Sequence, residues 1–134
     1  MRKPKNYIWA GSLSWTDMLN KNKQTDLIMD FITSEELQDK MESGTGFILL
    51  DVREPFEANI SNFKHETTSI PYNKLGNEVE NLEMDREYIV FCRSGATSKD
   101  ACNMLKEAGF KNVKSLKGGI NNWAKKIDPS LPQY

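Results

Sequence analysis

Residues 47–52, Phe47-Ile48-Leu49-Leu50-Asp51-Val52, are apolar at successive positions, with Asp51 and then Arg53 closing the run. A strand of that composition has no side to give to water, so it reads as buried on both faces and paired in parallel. Tyr88-Ile89-Val90-Phe91 is a second short apolar strand, residues 113–116 a third, and residues 29–32 and 68–70 two more candidates.

Helical patterns separate the strands. Thr33-Ser34-Glu35-Glu36 reads as a capping box that starts a helix through Leu37 and Met41 and ends at Gly44. Glu54-Pro55-Phe56-Glu57-Ala58 suits a helical turn with proline early, and residues 74–85 a loop with a short helix. Ala101, Leu105 and Ala108 place a helix over 98–108, stopped by Gly109. Gly118-Gly119 then leads into a last helix over 120–127 with Trp123 facing inward. Strand and helix in alternation predict an α/β domain of three layers, a central parallel sheet flanked by helices. Residues 29–134 form that domain, and residues 1–28, with Trp9 and Trp15 but no clean period, read as an N-terminal extension.

Sites in such sheets form at the carboxyl ends of strands. Cys92 stands at one, followed by the small-residue loop Arg93-Ser94-Gly95-Ala96-Thr97 and a helix start at Ser98. Small side chains let the backbone curl around a central atom, and the unpaired N–H groups of a helix terminus favour an anion there. Favouring a thiolate by ~2 kcal/mol takes an ordinary cysteine from a pKa of about 8.5 to about 7. A helix terminus supplies ~0.3–1 kcal/mol and each hydrogen bond to a charged group ~1.5–3, so the loop suffices without a base. The sole histidine, His65, sits in a polar stretch with nothing to place it near Cys92.

Composition narrows the alternatives. The chain of 134 residues carries a formal charge of −1, which gives no general pull toward nucleic acid or anionic lipid. Its apolar runs are strand-sized, too short to span a membrane. Arg2, Lys3 and Lys5 precede no sustained apolar region, so the chain reads as cytoplasmic rather than secreted. Cys92 and Cys102 form no metal-ligand set, and no cofactor is implied. Cys102 lies inside the helix after the loop, where a disulfide to Cys92 is awkward, and reads as a small core residue.

Three motifs in order, Asp51-Val52-Arg53-Glu54-Pro55-Phe56-Glu57, Cys92-Arg93-Ser94-Gly95-Ala96-Thr97 and Gly118-Gly119-Ile120-Asn121-Asn122-Trp123, resemble the rhodanese-like domain family from Phe31 to the C-terminus. The resemblance implies a sulfurtransferase in which Cys92 carries a persulfide. The donor is then thiosulfate or a protein persulfide. The ending Ile127-Asp128-Pro129-Ser130-Leu131-Pro132-Gln133-Tyr134 is similar to rhodanese-like domains fused behind adenylyltransferases of molybdopterin and thiamine synthesis. Gly11-Ser12-Leu13-Ser14-Trp15-Thr16-Asp17-Met18-Leu19 resembles the segment before them, which suits a detached or truncated relative. A sulfur-carrier protein or an adenylyltransferase is accordingly a candidate partner.

Within that reading the N–H groups across Arg93, Ser94, Gly95, Ala96, Thr97 and Ser98 bind the substrate and stabilise the sulfur anion. Arg93 partners a sulfonate or carboxylate, and Thr97 hydrogen-bonds the substrate or sulfur. Asp51 and Arg53 are supporting groups that brace the neighbouring loop. The family pattern before Ile70-Pro71 is altered here, with an added residue over 62–71, which predicts a reshaped loop and bears on substrate preference. A Cys-based phosphatase requires an arginine six places after its cysteine, and that position is Ser98. A non-catalytic binding or regulatory module of the same fold is the other alternative.

Overall fold

Residues 31–134 are described by a computed structural model of the protein. The chain runs β1 (Phe31–Ile32), α1 (Ser34–Ser43), β2 (Ile48–Asp51), a 3₁₀ turn (Pro55–Asn59) and β3 (Thr68–Ser69). It continues through α2 (Tyr72–Glu78), a second 3₁₀ turn (Val79–Asn81), β4 (Tyr88–Phe91), α3 (Ala96–Glu107), β5 (Val113–Leu116) and α4 (Gly119–Lys126). The expected extension at 1–28, with Trp9, Trp15 and the segment 11–19, and the first residues of the expected strand at 29–32 lie outside the described residues.

All five strands are parallel, in the order β1-β5-β4-β2-β3. The two apolar runs lie side by side at the centre, Leu49 opposite Ile89 and Leu50 opposite Val90. Alternation along each strand divides the core in two. Leu50, Tyr88 and Val90 face α2 and α3, where Leu75, Ala101, Cys102 and Leu105 meet them. Leu49, Ile89 and Phe91 face α1 and α4, against Leu37, Ile120 and Trp123. All four β4 side chains are fully buried, as a run without a polar face requires.

The capping box at α1 forms as its sequence dictates. The Glu36 N–H donates to Thr33 Oγ1 at 3.1 Å, and the Thr33 N–H to Glu36 Oε1 at 2.9 Å. Those bonds from Thr33 hold the Glu36 carboxyl below its ordinary 4.5. Gly44 closes the helix at φ +72°, a left-handed turn that glycine adopts without penalty.

Two helix starts differ from the sequence expectation. α3 begins at Ala96, two residues before Ser98, because Gly95 at φ +108° caps it and turns the chain earlier than side-chain periodicity reveals. α2 begins at Tyr72, immediately after Pro71, where the sequence reading has a loop at 74. Proline cannot donate a backbone hydrogen bond, so a helix start beside it loses nothing. The altered 62–71 segment packs Phe63 against Phe91 and Trp123, with ring centroids 4.7 and 4.9 Å apart.

Candidate active site

Cys92 leaves β4 on the α3 side of the sheet and is 5 % exposed. Its Sγ accepts the N–H of Gly95 at 3.1 Å and the N–H of Ser98 at 3.3 Å. The early start of α3 makes this possible, since Ser98 falls in the first turn and aims its unpaired N–H back at the sulfur. Beneath the sulfur, Ser98 Oγ lies 3.5 Å from Sγ, donates to the Gly95 carbonyl at 3.2 Å, and sits 2.7 Å from Ser115 Oγ. Both serines are buried, so each hydroxyl is the other's substitute for water.

The loop is also gripped from behind. The N–H groups of Ile120 and Asn121, in the first turn of α4, donate to the carbonyls of Cys92 at 2.9 Å and Arg93 at 3.1 Å. Gly119 makes this approach possible, because a Cβ there would meet the Arg93 carbonyl oxygen and lie 2.6 Å from that of Cys92.

Beside the loop, Asp51 and Arg53 form a two-pronged ion pair, Nε to Oδ1 at 2.9 Å and Nη2 to Oδ2 at 2.8 Å. They are 2 % and 3 % exposed, and at that depth only a satisfied pair is tolerable. Arg53 Nη1 donates to the Glu57 carbonyl at 3.2 Å and to Tyr134 Oη at 2.7 Å, and that phenol donates on to Glu57 Oε1 at 2.8 Å. Burial works to lower the Arg53 pKa, but the bonds to Asp51 and Tyr134 outweigh it and the pKa is raised. Burial raises the Tyr134 phenol above its ordinary 10.0, with Arg53 opposing and Glu57 assisting.

Between these groups opens a cavity of about 440 Å³, lined by Cys92, Arg93, Ser94 and Thr97 on one side and by residues that include Arg53, Glu57 and Tyr72 on the other. Arg93, Ser94 and Thr97 thus share a wall with the sulfur. Gly95, Ala96 and Ser98 do not border the cavity; Gly95 and Ser98 instead contact the sulfur from behind. No residue of 62–70 borders it either. His65 stacks on Phe47 at 5.3 Å, ahead of β2 and β3 and therefore at the other end of the parallel sheet from Cys92. Cys102 lies in the core, unbridged to Cys92.

Sequence reasoning missed Ser115, Glu57 and Tyr134. Ser115 had a signal, since a hydroxyl inside a strand buried on both faces must find a partner. Tyr134 had none, standing 81 residues from Arg53 in a stretch without periodicity.

The model of the rhodanese-like domain matches residues 33–126, well over half of the chain. The chain belongs to the rhodanese-like domain family. A protein named "Sulfurtransferase" from Allochromatium vinosum is 31% identical over 94 residues, covering 70% of this chain and 87% of its own length. One named "Probable adenylyltransferase/sulfurtransferase MoeZ" from Mycobacterium tuberculosis is 35% identical over 105 residues, covering 77% of this chain but 26% of its own. The chain therefore spans about a quarter of that relative. The crystal structure of a rhodanese-related protein from Thermoplasma volcanium superposes with a TM-score of 0.64 at 30% identity, over 76% of this chain and 94% of the other. Among the described residues no group of three or more His, Cys, Asp or Glu side chains is placed to hold a metal ion. No described helix is long and apolar enough to cross a membrane.

Proposed function

We propose that this rhodanese-like domain is a sulfurtransferase that carries sulfane sulfur as a persulfide on Cys92. The observation that carries the reading is a cysteine sulfur on a cavity wall, with two backbone N–H groups aimed at it and a buried hydroxyl 3.5 Å away. Those donors favour charge on sulfur, and they are fixed in place before any reaction.

The transfer takes two displacements. The Cys92 thiolate attacks the outer sulfur of thiosulfate, forming an S–S bond as the S–S bond of the donor breaks and sulfite leaves with the electron pair. With a protein persulfide as donor, the leaving group is that protein's thiolate. An acceptor thiolate then attacks the outer sulfur of the Cys92 persulfide, takes it as its own persulfide and returns the Cys92 thiolate. With a thiolate acceptor no external oxidant or reductant is consumed.

Ser98 follows the charge through both steps. With the thiol protonated its hydroxyl accepts from sulfur and donates to the Gly95 carbonyl; with the thiolate the same proton turns toward sulfur, while Ser115 continues to support it. Arg93 lines the cavity and has no ion-pair partner among the described residues, so its charge is available to a sulfonate or carboxylate on the donor. The likeness to a relative whose name joins adenylyltransferase and sulfurtransferase supports an adenylated sulfur-carrier protein as a second kind of acceptor. There the persulfide sulfur attacks the acyl adenylate, AMP leaves, and a thiol reductant cleaves the acyl disulfide, releasing the thiocarboxylate as it is itself oxidised.

Intact-mass measurement after incubation with thiosulfate tests the mechanism. Wild type and Cys102→Ser should each gain about 32 Da, one sulfur atom, and Cys92→Ser should gain nothing. Adduct that persists in Cys92→Ser and disappears in Cys102→Ser overturns the assignment. A wild type that takes no sulfur from any sulfane donor points to a binding module.

A further inference from the structure

The segment that follows α4 returns to the cysteine loop, and its aromatic residue is held at three points. The Tyr134 N–H donates to Asn121 Oδ1 at 3.1 Å, its hydroxyl lies between Arg53 and Glu57, and its ring faces the Arg93 guanidinium with Cζ 5.0 Å from the centroid. Asn121 also donates its backbone N–H to the Arg93 carbonyl at 3.1 Å, so one residue fixes both members of the stack. Upstream the segment is tied by Lys64, whose Nζ lies 2.8 Å from Ser130 Oγ and 3.5 Å from Asp128 Oδ2. Burial keeps the Tyr134 phenol protonated, as its bond to Glu57 requires.

Arg93 is exposed and has a long flexible stem, yet no anionic partner among the described residues fixes it. Among those residues the ring of Tyr134 supplies the contact that sets where its charge rests. The other cavity arginine, Arg53, is committed to Asp51.

We infer that Tyr134 is a specificity-determining positioning residue: its ring seats Arg93 at the cavity wall and thereby favours reagents that bring an anionic group to Cys92. Tyr134 itself does not border the cavity and touches no reacting atom. Seating a guanidinium on an aromatic face discriminates by charge without tying that charge up in an ion pair. The inference rests on the sulfurtransferase reading only in naming a dianionic donor such as thiosulfate as the beneficiary.

The test separates the two ideas by using probes that need no sulfur transfer. Cys92 is alkylated, in a Cys102→Ser background, with anionic iodoacetate and with neutral iodoacetamide, and the ratio of the two rates is followed. Tyr134→Leu should lower that ratio about fivefold, the scale of a cation–π contact, and Tyr134→Phe, which keeps the ring, should hold it within about twofold of wild type. Arg93→Met should lower the ratio as Tyr134→Leu does, and the double variant should fall no further. In thiosulfate loading, Tyr134→Leu should raise KM and leave the saturated rate nearly unchanged. An unchanged ratio in Arg93→Met or Tyr134→Leu, a drop in Tyr134→Phe as large as in Tyr134→Leu, or additive losses in the double variant each overturn the inference. Should Tyr134→Leu fail to fold, Tyr134→Phe and the exposed Arg93→Met still decide it. A ratio that behaves as expected in a protein that no sulfane donor loads leaves Tyr134 in its role and refutes the sulfurtransferase reading instead.

Discussion

Gly119→Ala is the substitution that most directly challenges the way the cysteine loop is held. Backbone φ is +64° there, and for a residue with a Cβ that conformation costs about 1–2 kcal/mol. The methyl would also press on the Arg93 carbonyl and lie 2.6 Å from the Cys92 carbonyl oxygen, contacts with backbone that no rotamer change relieves. Overpacking of this kind costs about 1–3 kcal/mol. If α4 retreats instead, the Ile120 and Asn121 hydrogen bonds to the loop break, at about 1 kcal/mol each. Since the chain takes one route or the other, the loss comes to roughly 2–5 kcal/mol. Gly44→Ala is the matching control, with φ +72° and nothing within 4 Å of the added carbon. It should lose the conformational part alone, about 1–2 kcal/mol. Urea unfolding followed by tryptophan fluorescence gives both values, and iodoacetamide alkylation of Cys92 should slow in Gly119→Ala only. A stability difference between the two variants below about 0.5 kcal/mol refutes the packing argument.

Arg53→Met strands the buried Asp51 carboxylate and should cost about 3–5 kcal/mol in urea unfolding, far more than loss of an exposed pair such as Arg86–Glu83. Ser98→Ala removes the hydroxyl beneath the sulfur and leaves the backbone N–H in place; Cys92 alkylation at fixed pH should slow by about tenfold, consistent with loss of one hydrogen bond to a charged group. Thr33→Ala should destabilise the fold by about 1 kcal/mol and let the Glu36 carboxyl return only part of the way toward its ordinary value, since the Thr33 backbone N–H, the larger cause, stays in place, read by NMR titration. Because the folded Glu36 pKa is depressed, its contribution is present above 4.5 and is lost as pH falls through the folded value, so the gap between wild type and Thr33→Ala should narrow in strong acid but not close, the lost cap bond from the Glu36 N–H being independent of pH.

The elements legible in the sequence are those whose cause is local. Thr33 and Glu36 are three residues apart and answer each other's orphan groups, so their box needs no tertiary information. The apolar runs through Leu49 and Ile89 announce burial by composition, and the small residues Ser94, Gly95 and Ala96 announce the loop around Cys92. The start of α3 at Ala96 was not legible, because Gly95 acts through a backbone angle that side-chain periodicity does not encode. The hydroxyl pair Ser98 and Ser115 depends on β5 lying beside β4, and the Tyr134 network on a chain return from beyond α4. Contacts of that kind follow from topology.

The grip of α4 on the cysteine loop also sets an order of events when the chain is made. β4 and its cysteine leave the ribosome before β5, Ser115 and the first turn of α4, which supply the hydroxyl support and both donors to the loop carbonyls. Until residues 113–121 emerge and dock, the loop lacks the contacts that hold its N–H groups around sulfur. A nascent chain therefore presents a sulfur without its set of fixed donors, and the reactivity proposed for Cys92 matures only as translation passes α4.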